Sequence, residues 1–485
     1  MHELKLFTIA ALSAAIAACT VGPDYVRPTP TAPAHFAGTE AGTPDEPAPA
    51  PDAEFWHSFG DALLGRLVDT ALLANHDLRI ALANHDRADA LLRGAGFDRL
   101  PTITAGANAS DTRASAGQLP GVSRDARDSK SYDVGISALW ELDFFGRIRR
   151  GMEAQRAETA ASAADLAALQ VAIVADVVRD YVELRGLQER LRVARRNADI
   201  QRETLQLVTT RVDAGRGSDF DTARATAQLE ATLARVPALE SSAEVAMHRL
   251  AVLTGQVPEA LVADLEASAP LPALPTRLRA GTPGELLRRR PDVIAAEQRL
   301  HAATARIGVA TADLFPRFTL GGLIGSQAVD AGALFERDSE TRAISLGIDW
   351  SFLDVGRVRA RIAASDADAQ GQLARYQQTV LLALEDTENA LTRYAHARVE
   401  DQHLERAAID GDRAAQLART RYEAGAADLL EVLDAERTQL QAQDAFADAR
   451  TRSVSSVVAL YRAMAGGWPT HAPQREGVAT TQSGT

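Results

Sequence analysis

The chain repeats itself, and that duplication constrains it more than any local pattern. Asp77 to Pro101 matches Asp292 to Pro316, each a helical run closing on Asp98-Arg99-Leu100-Pro101 or Asp313-Leu314-Phe315-Pro316. Trp140-Glu141-Leu142-Asp143-Phe144-Phe145-Gly146-Arg147 matches Trp350-Ser351-Phe352-Leu353-Asp354-Val355-Gly356-Arg357, and Arg211-Val212-Asp213-Ala214-Gly215 matches Arg421-Tyr422-Glu423-Ala424-Gly425. The offset is 215 residues in the first pair and 210 in the other two, so the copies are collinear with one loop shortened. Two units of about 200 residues read as one pseudo-symmetric architecture, not a short-period solenoid.

Between the proline and the tryptophan of each copy lie two segments of strand character. In Thr102 to Ser110, Ile103, Ala105, Ala107 and Ala109 alternate with polar or glycine residues. Tyr132, Val134, Ile136, Ala138, Trp140 and Leu142 do the same over 131–142. The second copy follows with Phe318 and Leu320, then Ile344, Leu346, Ile348, Trp350 and Phe352. Period two over this length suits a transmembrane β-strand, and equally a half-buried hairpin of a soluble domain. Trp140 and Trp350 at matching strand ends favour the membrane reading as interfacial aromatics. If the strands lie in lipid, a count follows. Four strands leave open edges, which lipid does not tolerate, and single-chain barrels start at about eight. Other copies of the chain must complete the wall.

The rest reads as helix. From Arg150 to Ala214 there is no proline, and Leu166, Leu169, Ile173, Val177, Leu184, Leu187, Leu191, Ala198, Leu205, Val208 and Val212 form one seam. Val358 to Ala424 again lacks proline. Some 65 helical residues reach roughly 100 Å, longer than a globular domain needs. Each copy is expected to run strand, strand, long helix, turn, return helix, with the strands and the helical turns at opposite poles.

Composition excludes other classes. Lys plus Arg total 52 against 65 Asp plus Glu, a formal charge of -13 that opposes nucleic-acid binding. The ten histidines are scattered and the single cysteine rules out a disulfide framework or multi-thiolate metal site. No phosphate-binding loop, dinucleotide fingerprint or nucleophile elbow occurs, so no enzyme, cofactor or metal is expected. With 24% charged residues the chain is too polar for a bundle of membrane helices. Its one sustained apolar stretch, Leu6 to Ala18, is too short to span a bilayer and fits a signal h-region. Ending Ile16-Ala17-Ala18-Cys19, it resembles a bacterial lipoprotein signal, which would make Cys19 a lipidated mature N-terminus; an ordinary buried cysteine is the alternative. Seven prolines within 28–51 then read as an extended tether.

In order along the chain, Val21-Gly22-Pro23-Asp24-Tyr25, Phe55-Trp56, Phe59-Gly60-Asp61, the Trp140–Arg147 run, Leu286-Leu287-Arg288-Arg289-Arg290-Pro291-Asp292-Val293, Asp313–Pro316, Arg421–Gly425 and Leu430–Ala435 resemble the TolC-type outer-membrane efflux factors, particularly their lipoprotein (NodT-like) branch. The resemblance implies a mainly α fold with a small transmembrane β part. Its protomer is a duplicated β-β-long α-α unit, and a homotrimer forms a 12-stranded β-barrel in outer-membrane lipid above a periplasmic α-helical barrel. It implies a passive duct for drugs or other small molecules. A periplasmic adaptor and an inner-membrane pump, of the resistance-nodulation-division or another class, would be its partners. Cys19 would carry N-palmitoyl and S-diacylglycerol groups, and Thr20 would permit outer-membrane sorting. A periplasmic adaptor lipoprotein is the alternative function, since adaptors also carry long hairpins and an anchor but lack duplicated membrane strands.

The same resemblance points to Glu431, Asp434 and Tyr422 as the periplasmic gate, and to turns at Gly215, Gly217 and Gly425 as adaptor-docking tips. Glu431 and Asp434 share one helical face, and under three-fold symmetry six carboxylates would crowd a narrow opening. Other readings stand beside these. Asp428 has the character of an N-cap with Glu431 at the capping-box position, Ser218 and Asp221 repeat that spacing, and Tyr422 fits plain tip packing. Ala427 stands where some relatives carry arginine, and Arg279–Glu285 departs from the usual shorter lead. Arg288, Arg289 and Arg290 read as a solvated helix entry. The expected organisation is a signal over 1–18, a tether over 19–54, and a first repeat over 55–280. That repeat has strands near 102–110 and 131–142 and helices near 150–214 and 219–253. The second repeat spans 281–468, with strands near 317–326 and 342–352 and helices near 357–424 and 428–465. A tail over 469–485 is expected to be disordered.

Overall fold

The computed structural model describes residues 20–30, 32–37, 54–273 and 281–465. The signal segment, Cys19, most of the Pro-rich tether and the tail over 469–485 lie outside the described residues.

After a 3₁₀ turn at Phe55–Phe59, α1 spans Ala62–Ala74 and α2 His76–Phe97. Strands β1 (Thr102–Arg113) and β2 (Asp128–Leu142) precede α3 (Arg147–Asp213), α4 (Asp219–Leu233), α5 (Arg235–Leu253) and the single-turn α6 (Val262–Leu265). The second copy holds α7 (Pro283–Arg289), α8 (Pro291–Ala312), β3 (Arg317–Ala328), β4 (Glu340–Asp349), α9 (Val355–Glu423) and α10 (Leu429–Ala463). The long helices have 67 and 69 residues. The return helix expected over 219–253 is broken, because Pro237 in the first turn of α5 has no N–H for the carbonyl of Leu233. The strand expected over 342–352 stops at Asp349, so Trp350 and Phe352 belong to the turn that leads into α9, closed by Asp354 N–H to the Ser351 carbonyl at 3.0 Å.

Two compact units result, and each draws on both sequence copies. The first takes in Met1–Thr29, His85–Ala163 and Ala295–Gln377 and contains the sheet, a four-stranded antiparallel meander in the order β1-β2-β3-β4. In it the segment from Val21 to Tyr25 is strapped to α3 and α8. Arg150, nearly buried, reaches Asp24 (2.5 Å), Glu153 (2.8 Å) and the Val21 carbonyl (3.3 Å). Tyr25 stacks on His301 at 4.3 Å, and His301 Nε2 lies 2.9 Å from Glu153. Burial pushes the Glu153 carboxyl up, but the bonds from His301 and Arg150 outweigh it and hold the group below the usual range. Gly22, at φ +91°, sits against the Cα of Gly308, an approach that leaves no space for a side chain.

The second unit, Pro30–Asn84, Ala164–Ile294 and Gln378–Thr485, holds only helices as regular elements among its described residues. Its core gathers Phe55, Trp56, Phe59, Leu64 and Leu78 with Val174, Val178 and Tyr181 of α3, Leu250 of α5 and Leu460 of α10. Gly186 packs directly on Thr451, so the small residue in the long helix marks a close crossing. Burial pushes the Tyr181 hydroxyl up to about 12, and it donates to Asp61, the N-cap of α1. The arginine triplet differs from its solvated reading. Arg290 is buried, bonded to Asp292 (2.7 Å), Asp386 (3.3 Å) and the carbonyls of Ala383 and Ala463, while Arg289 donates to the Met464 carbonyl at 2.7 Å. Only Arg288 faces solvent. Pro291 ends α7 and starts α8 beside these arginines, which turns two of the three guanidiniums inward onto helix-end carbonyls.

Candidate functional site

Two regions carry functional geometry, one in each unit. In the first, the strand register sorts the sheet into two unlike faces. Ile103, Ala105 and Ala107 pair with Ala138, Ile136 and Val134, which pair with Gly322, Ile324 and Ser326. Phe318, Leu320 and Gly322 pair in turn with Ile348, Leu346 and Ile344. All of these side chains share one face, because neighbours in register point the same way. Ile103, Ile136, Ile324, Ile344, Leu346 and Ile348 are each more than half exposed within the chain. The opposite face is mainly polar or glycine, with Thr104, Gly106, Asn108, Asp133, Gly135, Ser137, Gly325, Gln327 and Ser345, and it also holds the exposed Leu139 and Leu323. Thr104 and Ser137 hydroxyls meet at 2.8 Å, and Asn108 donates to Asp133 at 3.2 Å. Such a sheet separates lipid from water. Its outer strands β1 and β4 each pair on one side only, and their outer edges have no strand partner among the described residues.

The two tryptophans stand at one end of this sheet in equivalent bonds. Trp140 Nε1–H donates to the Arg99 carbonyl and Trp350 Nε1–H to the Leu314 carbonyl, both at 3.0 Å, and each acceptor lies two residues before the proline that opens a strand. Both rings remain partly exposed, with an apolar body and a satisfied polar tip. At that same end Thr20 lies against Gly146, and Val21 N–H donates to the Phe145 carbonyl at 3.2 Å.

In the second unit, α3 and α9 end in twin turns. Gly215 (φ 72°) and Gly425 (φ 75°) adopt the left-handed conformation. Arg216 N–H reaches the Arg211 carbonyl and Ala426 N–H the Arg421 carbonyl, both at 2.8 Å, which closes a Schellman motif in each copy. Gly217 is needed for a different reason, a close approach, since a Cβ there would lie 2.8 Å from the Val212 side chain. Asp221 takes the Ser218 backbone N–H at 3.0 Å, and Asp428 takes the Glu431 N–H at 2.9 Å, so α4 and α10 start at once. A small cluster forms behind the turns from Val208, Ala225, Tyr422, Leu429, Val432 and Leu433.

The candidate gate residues gather here, in different settings. Tyr422 is 7% exposed and packs in the cluster. Glu431 leaves the capping contact to Asp428; its own carboxylate lies 3.6 Å from Arg421. Asp434 pairs with Arg437 at 2.5 Å. Both carboxylates are more than half exposed, on the side of α10 away from the cluster. Two partners escaped sequence reading. Arg211 stacks on Tyr422, and Glu436 is buried at 2% exposure against Thr204. Glu436 was findable, since it lies seven residues past Leu429 and three past Leu433, on the apolar stripe. Among the described residues no group of three or more His, Cys, Asp or Glu is placed to hold a metal.

Comparison with known proteins agrees with this geometry. The profile of the family described as outer membrane efflux protein matches residues 67–256 and 282–466. The pyoverdine export outer membrane protein OpmQ of Pseudomonas putida is 33% identical over 92% of this chain and 96% of its own length. Nodulation protein T of Rhizobium leguminosarum is 31% identical over 96% of this chain and 94% of its own. The outer-membrane channel OprN superposes with a TM-score of 0.87 at 44% identity, covering 93% of this chain and all of that structure.

Proposed function

The chain belongs to the outer membrane efflux protein family, and on that premise we propose that it is the outer-membrane duct of a tripartite efflux system, passing small molecules outward. The observation that carries this reading is the sheet, which has one exposed apolar face, one polar face and two open edges. Open edges are prohibitive in lipid. Three copies edge to edge supply twelve strands, with apolar faces toward lipid and Thr, Ser, Asn and Gly toward a water-filled lumen. The periplasmic adaptor reading has no use for such a sheet.

Trp140 and Trp350 then mark the periplasmic membrane interface, where a ring with one wet and one apolar end is most stable. Lipid on Cys19 fits that level, because Thr20, the next residue, sits beside Gly146 at the foot of β2. The acyl chains would add a membrane anchor worth about 0.8 kcal/mol per buried CH₂. The turns at Gly215, Gly217 and Gly425 present rigid, capped helix ends suited to an adaptor, and the adaptor links the duct to an inner-membrane pump. Glu431 and Asp434 are proposed as the selectivity ring of the periplasmic opening, with Tyr422 packing the wall behind it. Support for the ring comes from their exposure on one face of α10, within its first two turns.

The test is extraction of the mature protein from the outer membrane in mild detergent. Heat-modifiable trimers that conduct ions in planar bilayers are expected. A water-soluble monomer without conductance overturns the proposal.

A further inference from the structure

Above the tip cluster, the contact between α3 and α10 changes character. Val208, Val432 and Leu433 give way to polar side chains that are almost wholly buried: Asn197 (1% exposed), Gln201 (3%) and Thr204 (2%) on α3, and Glu436 (2%) and Gln439 (3%) on α10. The antiparallel pairing is regular. Thr204 Oγ1–H donates to Glu436 Oε1 at 2.6 Å, and Asn197 Nδ2–H to Gln443 Oε1 at 2.8 Å, which sets Gln201 level with Gln439 between them. Gln439 Nε2–H donates to Asp412 of α9 at 2.6 Å. The second oxygen of Glu436, both side-chain polar atoms of Gln201 and Oε1 of Gln439 have no hydrogen-bond partner among the described residues. A carboxylate so placed is costly, whereas a protonated carboxyl is tolerated.

We propose that Glu436 is a positioning residue for the helical tip: in its protonated form it keeps α3 and α10 packed, and loss of the proton loosens the turns below. The reading rests on the tip being the closure of the proposed duct. Burial pushes the Glu436 carboxyl above its usual range, against the smaller opposing effects of Thr204 and Arg419. The charges around it do not neutralise it. Arg419 of α9 is engaged by Glu203 of α3 at 2.8 Å and by Glu423 at 3.4 Å. Asp412 faces Gln439, and Asp434 and Arg437 pair with each other on the exposed side of α10. From α4 the adjoining buried residue is Ala225, without charge.

The sign follows from linkage. A carboxyl with a raised pKa in the packed state binds more protons there than when loosened, so packing is strongest in acid and weakens as pH rises through that pKa. One linked proton changes the ratio of loosened to packed tips by at most about tenfold per pH unit.

The experiment records the full-length protein in planar bilayers from about pH 5 to about pH 9, comparing wild type, Glu436→Gln and Glu436→Leu. The wild-type open fraction is expected to rise with pH, and both variants to hold the acid-limit level. A Glu436→Gln profile equal to wild type overturns the proposal. Hydrogen exchange of the detergent-solubilised protein over 200–210 and 429–440 gives a second readout. Protection in Glu436→Gln should exceed wild type increasingly as pH rises, and equal protection at every pH overturns the proposal as well. Absence of conductance in every form would remove the duct reading, yet the exchange comparison would still decide the role of Glu436.

Discussion

Arg211 holds its guanidinium carbon 4.0 Å from the ring centre of Tyr422 and donates to that residue's own carbonyl at 2.7 Å. One arginine thus ties the last turn of α3 to the last turn of α9, although in the repeat Arg211 corresponds to Arg421 and Tyr422 to Val212. Tyr422→Ala should cost about 3 kcal/mol through the cavity it leaves, Arg211→Ala about 1 kcal/mol, and Tyr422→Phe almost nothing. Hydrogen exchange at the turns around Gly215 and Gly425 orders the three variants, and equal exchange in all of them would refute the assignment.

Replacing Glu431 and Asp434 together by Ala removes six carboxylates from a trimer. Conductance in planar bilayers should rise because six shortened side chains widen the opening, and block by divalent cations should weaken because the ring of negative charge that concentrates them is gone. Unchanged currents and unchanged block would exclude these residues from the constriction.

Ile136 lies mid-sheet, between Ala105 and Ile324, on the apolar face. Ile136→Arg should destabilise the membrane-inserted form by about 2–4 kcal/mol, and Ser137→Arg, one residue along and on the opposite face, should assemble normally. The yield of heat-modifiable protein in outer-membrane fractions measures both. Equal yields would mean that the sheet does not face lipid.

Cys19→Ala should abolish labelling by radioactive palmitate while Thr20→Ala retains it. Label persisting in the cysteine variant would place the modification elsewhere.

Arg290→Met leaves Asp292 and the Ala383 and Ala463 carbonyls without their buried donor and should cost about 3–5 kcal/mol. Arg288→Met, at the exposed position of the same triplet, should fall within about 0.5 kcal/mol of wild type. Thermal unfolding in detergent separates them. Matching losses would show that the buried bonds of Arg290 contribute nothing.

The strands were readable because a membrane sheet alternates strictly, so Ile103, Ala105 and Ala107 announced their face without any partner in view. The long helices were readable from the absence of proline. Their ends were legible as well, since Gly215 and Gly425 occur where left-handed turns are needed. The arginine triplet was not legible. Three adjacent charges look alike in a string, and only the approach of Ala383 and Ala463 decides which guanidiniums turn inward. Glu431 was ambiguous for a related reason. Its spacing from Asp428 suits a cap and a pore equally, and the fold resolves the capping contact to the Asp428 side chain.

By itself the sequence determined the element plan, the two-fold repetition and the separation of apolar from polar strand faces, because these depend on periodicity and on backbone chemistry local to each segment. The tertiary structure decided which repeated elements share a unit, that Arg211 lies on Tyr422, and that Glu436 is shut between α3 and α10. Those outcomes depend on which distant residues come within a few ångströms, and burial, with the cost of charge that follows from it, exists only once they have met.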